Sequence, residues 1–441
     1  MASSFNLHFL LAFSTILVLF LFGFETAGTV SAVNRAPFSQ SATVLILPVL
    51  KDNTTSLHIV NIRKRTPLTS IPFVVDLNGR FLSVNCDKDY FSSTYNAPIC
   101  RSTQCSLVGT HFCQKCSSSQ ARPGCHNNTC AIITTNPLNR QHVVGEIAQD
   151  VVAIQTLNYQ ASNPGRFVVL RRFLFACVPS SFLQGPLPKY VQGMAGFDHH
   201  PVSLPRQIAS HFGFQPKFAM CLSSMNNQNG VIFFGNATYR ITPENDFSQA
   251  LRYTPLFIGS RGEYFIPVKA IRINRKQIQF NTTLHSKTMR TGGTMISTTS
   301  PYTALEHNIF QVVTQVFAKE FSAIGASQTN AVSPFGVCFN KLPPPVPKVT
   351  IGAPIIDFVM QNRDVTWSIY GSNSIIQARP GTWCLAFVNG GYNPRASIVL
   401  GAYQLEDHIV EFDLARSRFG FTETLLSKYT RCSQFNFNST T

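Results

Sequence analysis

Two stretches of this sequence repeat one pattern half a chain apart. In "IPFVVDLNGRFLSVNC" (residues 71–86) and "GGTMISTTSPYTAL" (residues 292–305) an apolar run enters a short polar turn and emerges as a second run. Each is followed downstream by a glycine-bearing word, "GMAG" at residues 193–196 and "IVLGAY" at residues 398–403. A duplicated strand–turn unit in a chain of 441 residues predicts two similar β-rich lobes, joined near residues 236–250, each large enough for its own core. The intervening words agree. "ATVLILPVL", "RFVVLRRFLFAC", "NGVIFFG" and "GEYFIPVKAIRINRKQIQF" are rich in β-branched and aromatic residues, and 26 Gly and 26 Pro punctuate them. Only "LPRQIASHF" (residues 204–212) and "PYTALEHNIFQVVTQVFAKEFSAIG" (residues 301–325) carry helical spacing, the second with Pro301 at its start. The fold class is all-β with a few short helices.

The first 32 residues hold an apolar run over residues 9–24 and the small residues Ser31 and Ala32. They read as a secretory signal peptide cleaved near Ala32, with a retained anchor helix as the alternative. No other apolar stretch is long enough to span a bilayer, so no membrane association is expected after cleavage. Twelve cysteines fit an oxidising compartment, and Cys100, Cys105, Cys113, Cys116, Cys125 and Cys130 crowd into one polar insertion over residues 100–130. Such density staples a segment that cannot build a core of its own. Cys113 and Cys116 are also spaced like half of a zinc or redox site, but no second half follows, and neither metal nor cofactor is expected. Sequons at Asn53, Asn127, Asn236, Asn281 and Asn438 are candidate N-glycosylation sites.

The formal net charge of +16 draws the chain toward acidic partners, an acidic wall polysaccharide or an acidic protein among them. The Lys and Arg residues are scattered and no nucleic-acid-binding motif accompanies them, so nucleic acid is not an expected partner. His199 and His200 in "GFDHHP" read as surface rather than as metal ligands.

The paired strand–turn elements resemble the two active-site loops of pepsin-like aspartic proteases. "VVDLNGRF", "GEIAQDVV", "KFAMCLSS", "GGTMISTTSPYTALE" and "LGAYQLEDHIVEFDLARSRFGF" are similar to one plant branch of that fold, over nearly the whole mature chain. The branch holds extracellular dermal glycoprotein, nectarin-type xyloglucanase inhibitors, basic 7S globulins and cereal xylanase inhibitors. The resemblance implies a bilobal fold around a central cleft, with an N-terminal lobe over residues 33–240 and a C-terminal lobe over residues 241–441. It also implies bridges Cys86–Cys177, Cys221–Cys432 and Cys338–Cys384, with the other six cysteines paired locally.

In a working protease of this fold each lobe supplies an aspartate, and the pair shares one proton to activate water. The resemblance aligns Asp76 with the first and Ser297 with the second. Leu77 and Asn78 stand where a hydroxyl residue and a glycine are expected, and no flap tyrosine precedes "GEIAQDVV". A serine hydroxyl cannot act as the missing carboxylate. Nothing like G-x-S-x-G surrounds Ser297 to make it a nucleophile, and clustered hydroxyls in a turn serve the backbone. The implied function is therefore binding: inhibition of a microbial cell-wall-degrading glycoside hydrolase, a family-twelve xyloglucanase before a family-eleven xylanase, by a protein secreted to the apoplast. Inhibitors of this branch insert side chains from C-terminal loops between the hydrolase's two carboxylates. The matching positions are Lys428 and Tyr429 with Arg431 beside them, and Lys341 and Lys348 on a second loop. The alternatives are a storage or ligand-binding role like that of basic 7S globulins, and a residual aspartic endopeptidase.

Overall fold

The two repeated words fold into the same strand crossing. The structure, a computed structural model, describes residues 44–87, 89–116, 120–158, 163–279, 293–345, 351–362 and 364–437. In the first half, strand Thr69–Asp76 lies parallel to Gly193–Gly196, which is antiparallel to Leu82–Asn85, which is parallel to Asn163–Val178. In the second half, Gly293–Ile296 lies parallel to Ile398–Leu400, which is antiparallel to Thr303–Leu305, which is parallel to Phe387–Asn389. Chain order and strand sense match throughout. Each unit opens its strand–turn–strand arms and admits a distant strand between them. Parallel neighbours need such long crossovers, and the 116 residues between Asp76 and Gly193 span more than enough chain. The inserted strand comes close to the backbone of its neighbours: a Cβ on Gly196 would overlap the Gly79 and Phe81 carbonyl oxygens, and one on Gly401 would overlap Tyr302.

The two units are tied to each other at their turns. The Thr298 hydroxyl donates to the Val75 carbonyl at 2.7 Å and accepts from the Leu77 amide at 3.1 Å. Asn78 answers from the other side, donating from Nδ2 to the Ile296 carbonyl at 3.0 Å and accepting the Tyr264 amide on Oδ1 at 3.2 Å. Thr298 and Leu77 are both fully buried. These backbone groups have no water to fall back on.

A thirteen-stranded sheet carries the first unit and continues through the second half of the chain. Strand Ile409–Asp413 pairs antiparallel with Lys217–Cys221, and Arg418–Phe421 and Arg252–Pro255 extend it further. Backbone hydrogen bonds therefore join strands from either side of residue 240. One apolar core follows the same path, with Phe218 stacked on Phe412 at 4.8 Å between ring centres. A nine-stranded sheet holds the second unit, and a four-stranded sheet of Ser327–Thr329, Cys338–Lys341, Thr382–Leu385 and Ile375–Arg379 stands beside it.

Helix Leu204–Phe212 has the expected bounds, with Pro205 in its first turn and Gly213 closing it at φ 72°. The second helix is shorter than its sequence pattern. It runs over His307–Ala323, because residues 303–305 are taken by strand pairing, and Glu306 rather than Pro301 starts it by accepting the Asn308 and Ile309 amides. No helix among the described residues is long and apolar enough to cross a membrane.

All twelve cysteines are bridged: Cys86–Cys177, Cys221–Cys432, Cys338–Cys384, and within the insertion Cys100–Cys113, Cys105–Cys130 and Cys116–Cys125. The insertion has a second anchor. The buried Glu146 carboxylate receives the Gly124 and His126 amides at 3.0 and 2.9 Å, the Thr129 hydroxyl at 2.6 Å and the Tyr95 hydroxyl at 2.6 Å. The His126 ring nitrogen Nδ1 lies 3.1 Å from the same carboxylate, so this buried polar group is hydrogen-bonded on every side.

Replacing Thr298 with alanine leaves the Val75 carbonyl and Leu77 amide unpaired. It should cost about 2–4 kcal/mol in urea unfolding, seen as a lower midpoint at unchanged slope, while Thr298→Ser recovers most of the loss.

Candidate functional site

Asp76 ends its strand and is held by the turn that follows. Its carboxylate accepts the Asn78 amide at 3.1 Å, and its backbone carbonyl accepts the Gly79 and Phe197 amides. The side chain is 5% exposed, and burial pushes its pKa up to about 6 against the opposing pull of these amides and of Arg395. Ser297, at the matching end of Gly293–Ile296, is equally buried at 4%. Its hydroxyl lies 3.1 Å from that of Thr299 and accepts the Ser300 amide at 3.2 Å, while its own amide donates to Leu400. Among the described residues, both hydrogen-bond partners of the Ser297 hydroxyl belong to its own turn. Asp76 and Ser297 are brought together to the extent that their two turns share the Thr298 and Asn78 bonds.

A second acid lies beside Asp76. Burial raises Asp198 to about 7, with Asp76 and Glu263 adding repulsion and Arg80 opposing it. Arg80 meets Nε2 of His200 at 2.7 Å, and burial together with Arg80 depresses His200 to about 4. His200 is thus a neutral partner of an arginine; its neighbour His199 lies at the same turn. The hairpin ahead of Glu146 turns through residues 136–141, "NPLNRQ", which hold no tyrosine.

The last turn of the chain has a different construction. The short helical turn Leu425–Lys428 ends at Tyr429, which adopts φ 54° and is 74% exposed. Lys428 is exposed beside it. Arg431 points the other way: its guanidinium lies 3.6 Å from Asp407 and 3.3 Å from the Ser224 hydroxyl. Asp407 also takes the Cys432 amide at 2.9 Å and the Ser224 hydroxyl at 2.6 Å, and Cys432 is bridged to Cys221. Behind this base lies a cavity of about 190 Å³ between Leu426 and Arg431 on one side and Ile376, Gln377 and Trp383 on the other. Those last residues belong to the four-stranded sheet that carries Lys341 at its exposed surface, so the sheet of Lys341 and the Lys428 turn line one cavity. Lys348 lies outside the described residues.

The comparisons agree with this architecture. Residues 58–236 match the family model described as xylanase inhibitor N-terminal, and residues 263–423 match xylanase inhibitor C-terminal. Gamma conglutin 1 of Prunus dulcis is 46% identical over 438 residues, covering 99% of this chain and 98% of that protein. Basic 7S globulin of Glycine max is 44% identical over 403 residues, with 89% and 92% covered. The crystal structure of edgp superposes with a TM-score of 0.85 at 43% identity, over 90% of this chain and 99% of that one. The chain belongs to the gamma conglutin and basic 7S globulin family.

The chain is accordingly an inactive pepsin-like protein of the 7S globulin type. The remaining sequence-predicted sites are peripheral. Asn53, Asn127 and Asn236 are exposed, with Asn127 Oδ1 accepting the Cys116 amide and Asn236 Oδ1 accepting from Lys217. Asn281 and Asn438 lie outside the described residues. Among the described residues no group of three His, Cys, Asp or Glu could hold a metal ion. The sequence reading missed Asp198, which the crossing strand brings beside Asp76, and Arg80, which faces Asp198.

Asp76 gives the site a measurable pH signature. The folded protein keeps the proton to about pH 6, whereas an unfolded aspartate releases it near 3.8. The folded state binds more protons across that window, so this group's contribution to stability falls as pH rises from about 4 to 6. Asp76→Asn keeps the acceptor for the Asn78 amide and has no proton to lose. Denaturant titrations at pH 4 and pH 7 should show the variant gaining about 1–3 kcal/mol relative to the native chain over that interval.

Proposed function

We propose that this protein is a secreted, glycosylated inhibitor of a cell-wall-degrading glycoside hydrolase, a family-twelve xyloglucan endoglucanase in the first place and a family-eleven xylanase in the second. The reading divides the chain into a signal peptide at residues 1–32, an N-terminal lobe at 33–240 and a C-terminal lobe at 241–441. Secretion to the apoplast is supported by the apolar leader, the bridging of every cysteine and the exposure of Asn53, Asn127 and Asn236. Proteolysis is set aside on chemical grounds. In this reading Ser297 replaces the second catalytic aspartate, and a hydroxyl engaged by its own turn supplies no base to share a proton with Asp76.

The observation that carries the inhibitor reading is the turn at Lys428 and Tyr429. A rigid base, formed by Cys221–Cys432 and by Asp407 with its three donors, holds up an exposed cation and an exposed aromatic ring. A glycosidase cleft presents two carboxylates on an open surface that accepts a sugar ring. A lysine placed between the acids and a tyrosine on the sugar-binding surface match both features, and a preformed turn loses little freedom on binding. The positive net charge speeds encounter with an acidic enzyme. The matching family's name, xylanase inhibitor, fits the same class of partner. The names of the relatives favour a second reading, a globulin-type storage or ligand-binding protein with no hydrolase target.

Titrating purified mature protein against a family-twelve xyloglucanase and a family-eleven xylanase separates the two. The inhibitor reading expects stoichiometric loss of one activity, with Lys428→Ala weakening inhibition about tenfold or more and Tyr429→Ala doing likewise. Unchanged activity of both enzymes at excess protein would put the globulin reading first.

A further inference from the structure

The first half of the chain contains a groove that neither the degenerate dyad nor the C-terminal turn uses. It encloses about 730 Å³, within the range of small-ligand clefts of roughly 300–1,000 Å³. Arg171, Arg172, Arg206 and His211 line it, and none of its lining residues is Asp or Glu. Among the described residues none of the three guanidiniums forms an ion pair, whereas Arg252, Arg416, Arg418 and Arg431 all do. Three arginines facing one groove repel one another, and no acid among the described residues that line it offsets that.

The arginines are placed there by a specific irregularity. Where strands His142–Asn158 and Asn163–Val178 pair, Asp150 faces Phe173 and Val152 faces Leu170. Val151 alone therefore opposes both Arg171 and Arg172. This is a β-bulge, and Arg172 takes φ 56° within it, a left-handed conformation uncommon for a long side chain. Bulges redirect side chains, and both arginines are exposed. Arg206 comes from helix Leu204–Phe212, and Gln207 next to it locks that helix to the bulged strand. Its Oε1 accepts the Leu174 amide and its Nε2 donates to the Leu174 carbonyl, each at 2.8 Å. The backbone positions that carry the cations are thus fixed before any ligand arrives.

We propose that this groove binds a linear acidic polysaccharide through its carboxylates. Planar guanidinium forks pair with carboxylates in bidentate fashion. The uncharged side chains Gln104 and Ser210 on the same wall suit sugar hydroxyls, and Phe214 offers a half-buried apolar face. Single-stranded nucleic acid is the less fitting polyanion, because its binders stack successive bases on exposed aromatic rings. Here Phe173 is buried, and His211 packs against Phe212 with 4.9 Å between ring centres. The groove is independent of the hydrolase reading, since its ligand is a wall polymer rather than an enzyme.

The test is equilibrium binding of a labelled, defined-length oligogalacturonate to the full mature chain at moderate ionic strength. The combined variant Arg171→Gln, Arg172→Gln, Arg206→Gln is compared with Arg261→Gln, Lys269→Gln, Lys319→Gln, which removes the same charge from exposed positions elsewhere. Thermal unfolding of each variant confirms that it is folded. The groove variant should bind about tenfold or more weakly, the control variant within about twofold of native, and a neutral xyloglucan oligosaccharide should not compete. Equal loss in both variants would reduce the effect to net charge and overturn the site. Native affinity in the groove variant would do the same. A single-stranded oligonucleotide that binds more tightly through the same three arginines would overturn the ligand class.

Discussion

The hydroxyl of Thr298 is the joint on which both halves of the molecule depend. It donates to one carbonyl and accepts from one amide of the opposite turn, all of them buried. Each half had to open a strand–turn–strand unit to admit a distant strand, and the exposed loop ends of two such units are then pressed together. Without a bonded joint, the amide of Leu77 would be buried without a partner, at a cost of about 1–3 kcal/mol. The first turn has no hydroxyl to return the bond, because Leu77 occupies that place and is packed into the core. Asn78 supplies the return instead, through its amide to Ile296 and its carbonyl to Tyr264. The substitutions that depart from a protease pattern are therefore not damage to the joint. They rebuild it with a longer polar side chain.

That rebuilding bears on charge as well as on shape. A working dyad needs two carboxylates sharing a proton, which means repulsion held in place by the fold. With Ser297 bonded within its own turn, Asp76 faces no carboxylate from that turn, and burial raises its pKa to about 6. Asp198 and Glu406 are pushed the same way by burial, each to about 7. His58, next to Glu406 and depressed to about 3 by burial and Lys51, opposes them. It must take a proton on acid unfolding, so its contribution to stability is lost as pH falls from 6.5 toward 3. The acids favour the low end of the pH range and the histidine the high end. The two trends oppose each other between about pH 4 and 6.

Much of the fold was legible because its repeat is local. A strand, a turn and a second strand occupy about fifteen residues, and the alternation of "FVVDLNGRFLSV" and "GTMISTTSPYTAL" exposes both copies. The strands admitted between the arms were visible only as glycine words, and the reason for those glycines, backbone contact at Gly196 and Gly401, appears once partners are known. Pairing of Ile409–Asp413 with Lys217–Cys221 was not legible, since register between segments so far apart leaves no local mark. The start of the helix at His307 was misplaced for a related reason. Pro301 is a sound local signal, but two strands claim residues 303–305, and tertiary pairing outweighs propensity. The pair Arg171 and Arg172 passed as part of an ordinary strand, because a bulge is a property of two strands and not of one.

The two cationic features differ in how they hold their charge, and the difference follows from the neighbours. Near the last cysteine, Arg431 is turned inward by Asp407, an acid whose pKa burial raises and Ser224, Cys432 and Arg431 pull back down. One cation is committed to rigidity, so the neighbouring lysine and tyrosine can stand out from a fixed base. In the groove no acid is present to turn any arginine inward, and rigidity comes from backbone instead, through the bulge and the two bonds of Gln207. A single displayed lysine can enter a narrow site between two acids. Three unpaired arginines fixed side by side favour an extended chain of charges. Both are ways for a scaffold without a working dyad to present positive charge in a defined geometry, and the choice between them is made by where the nearest carboxylate lies.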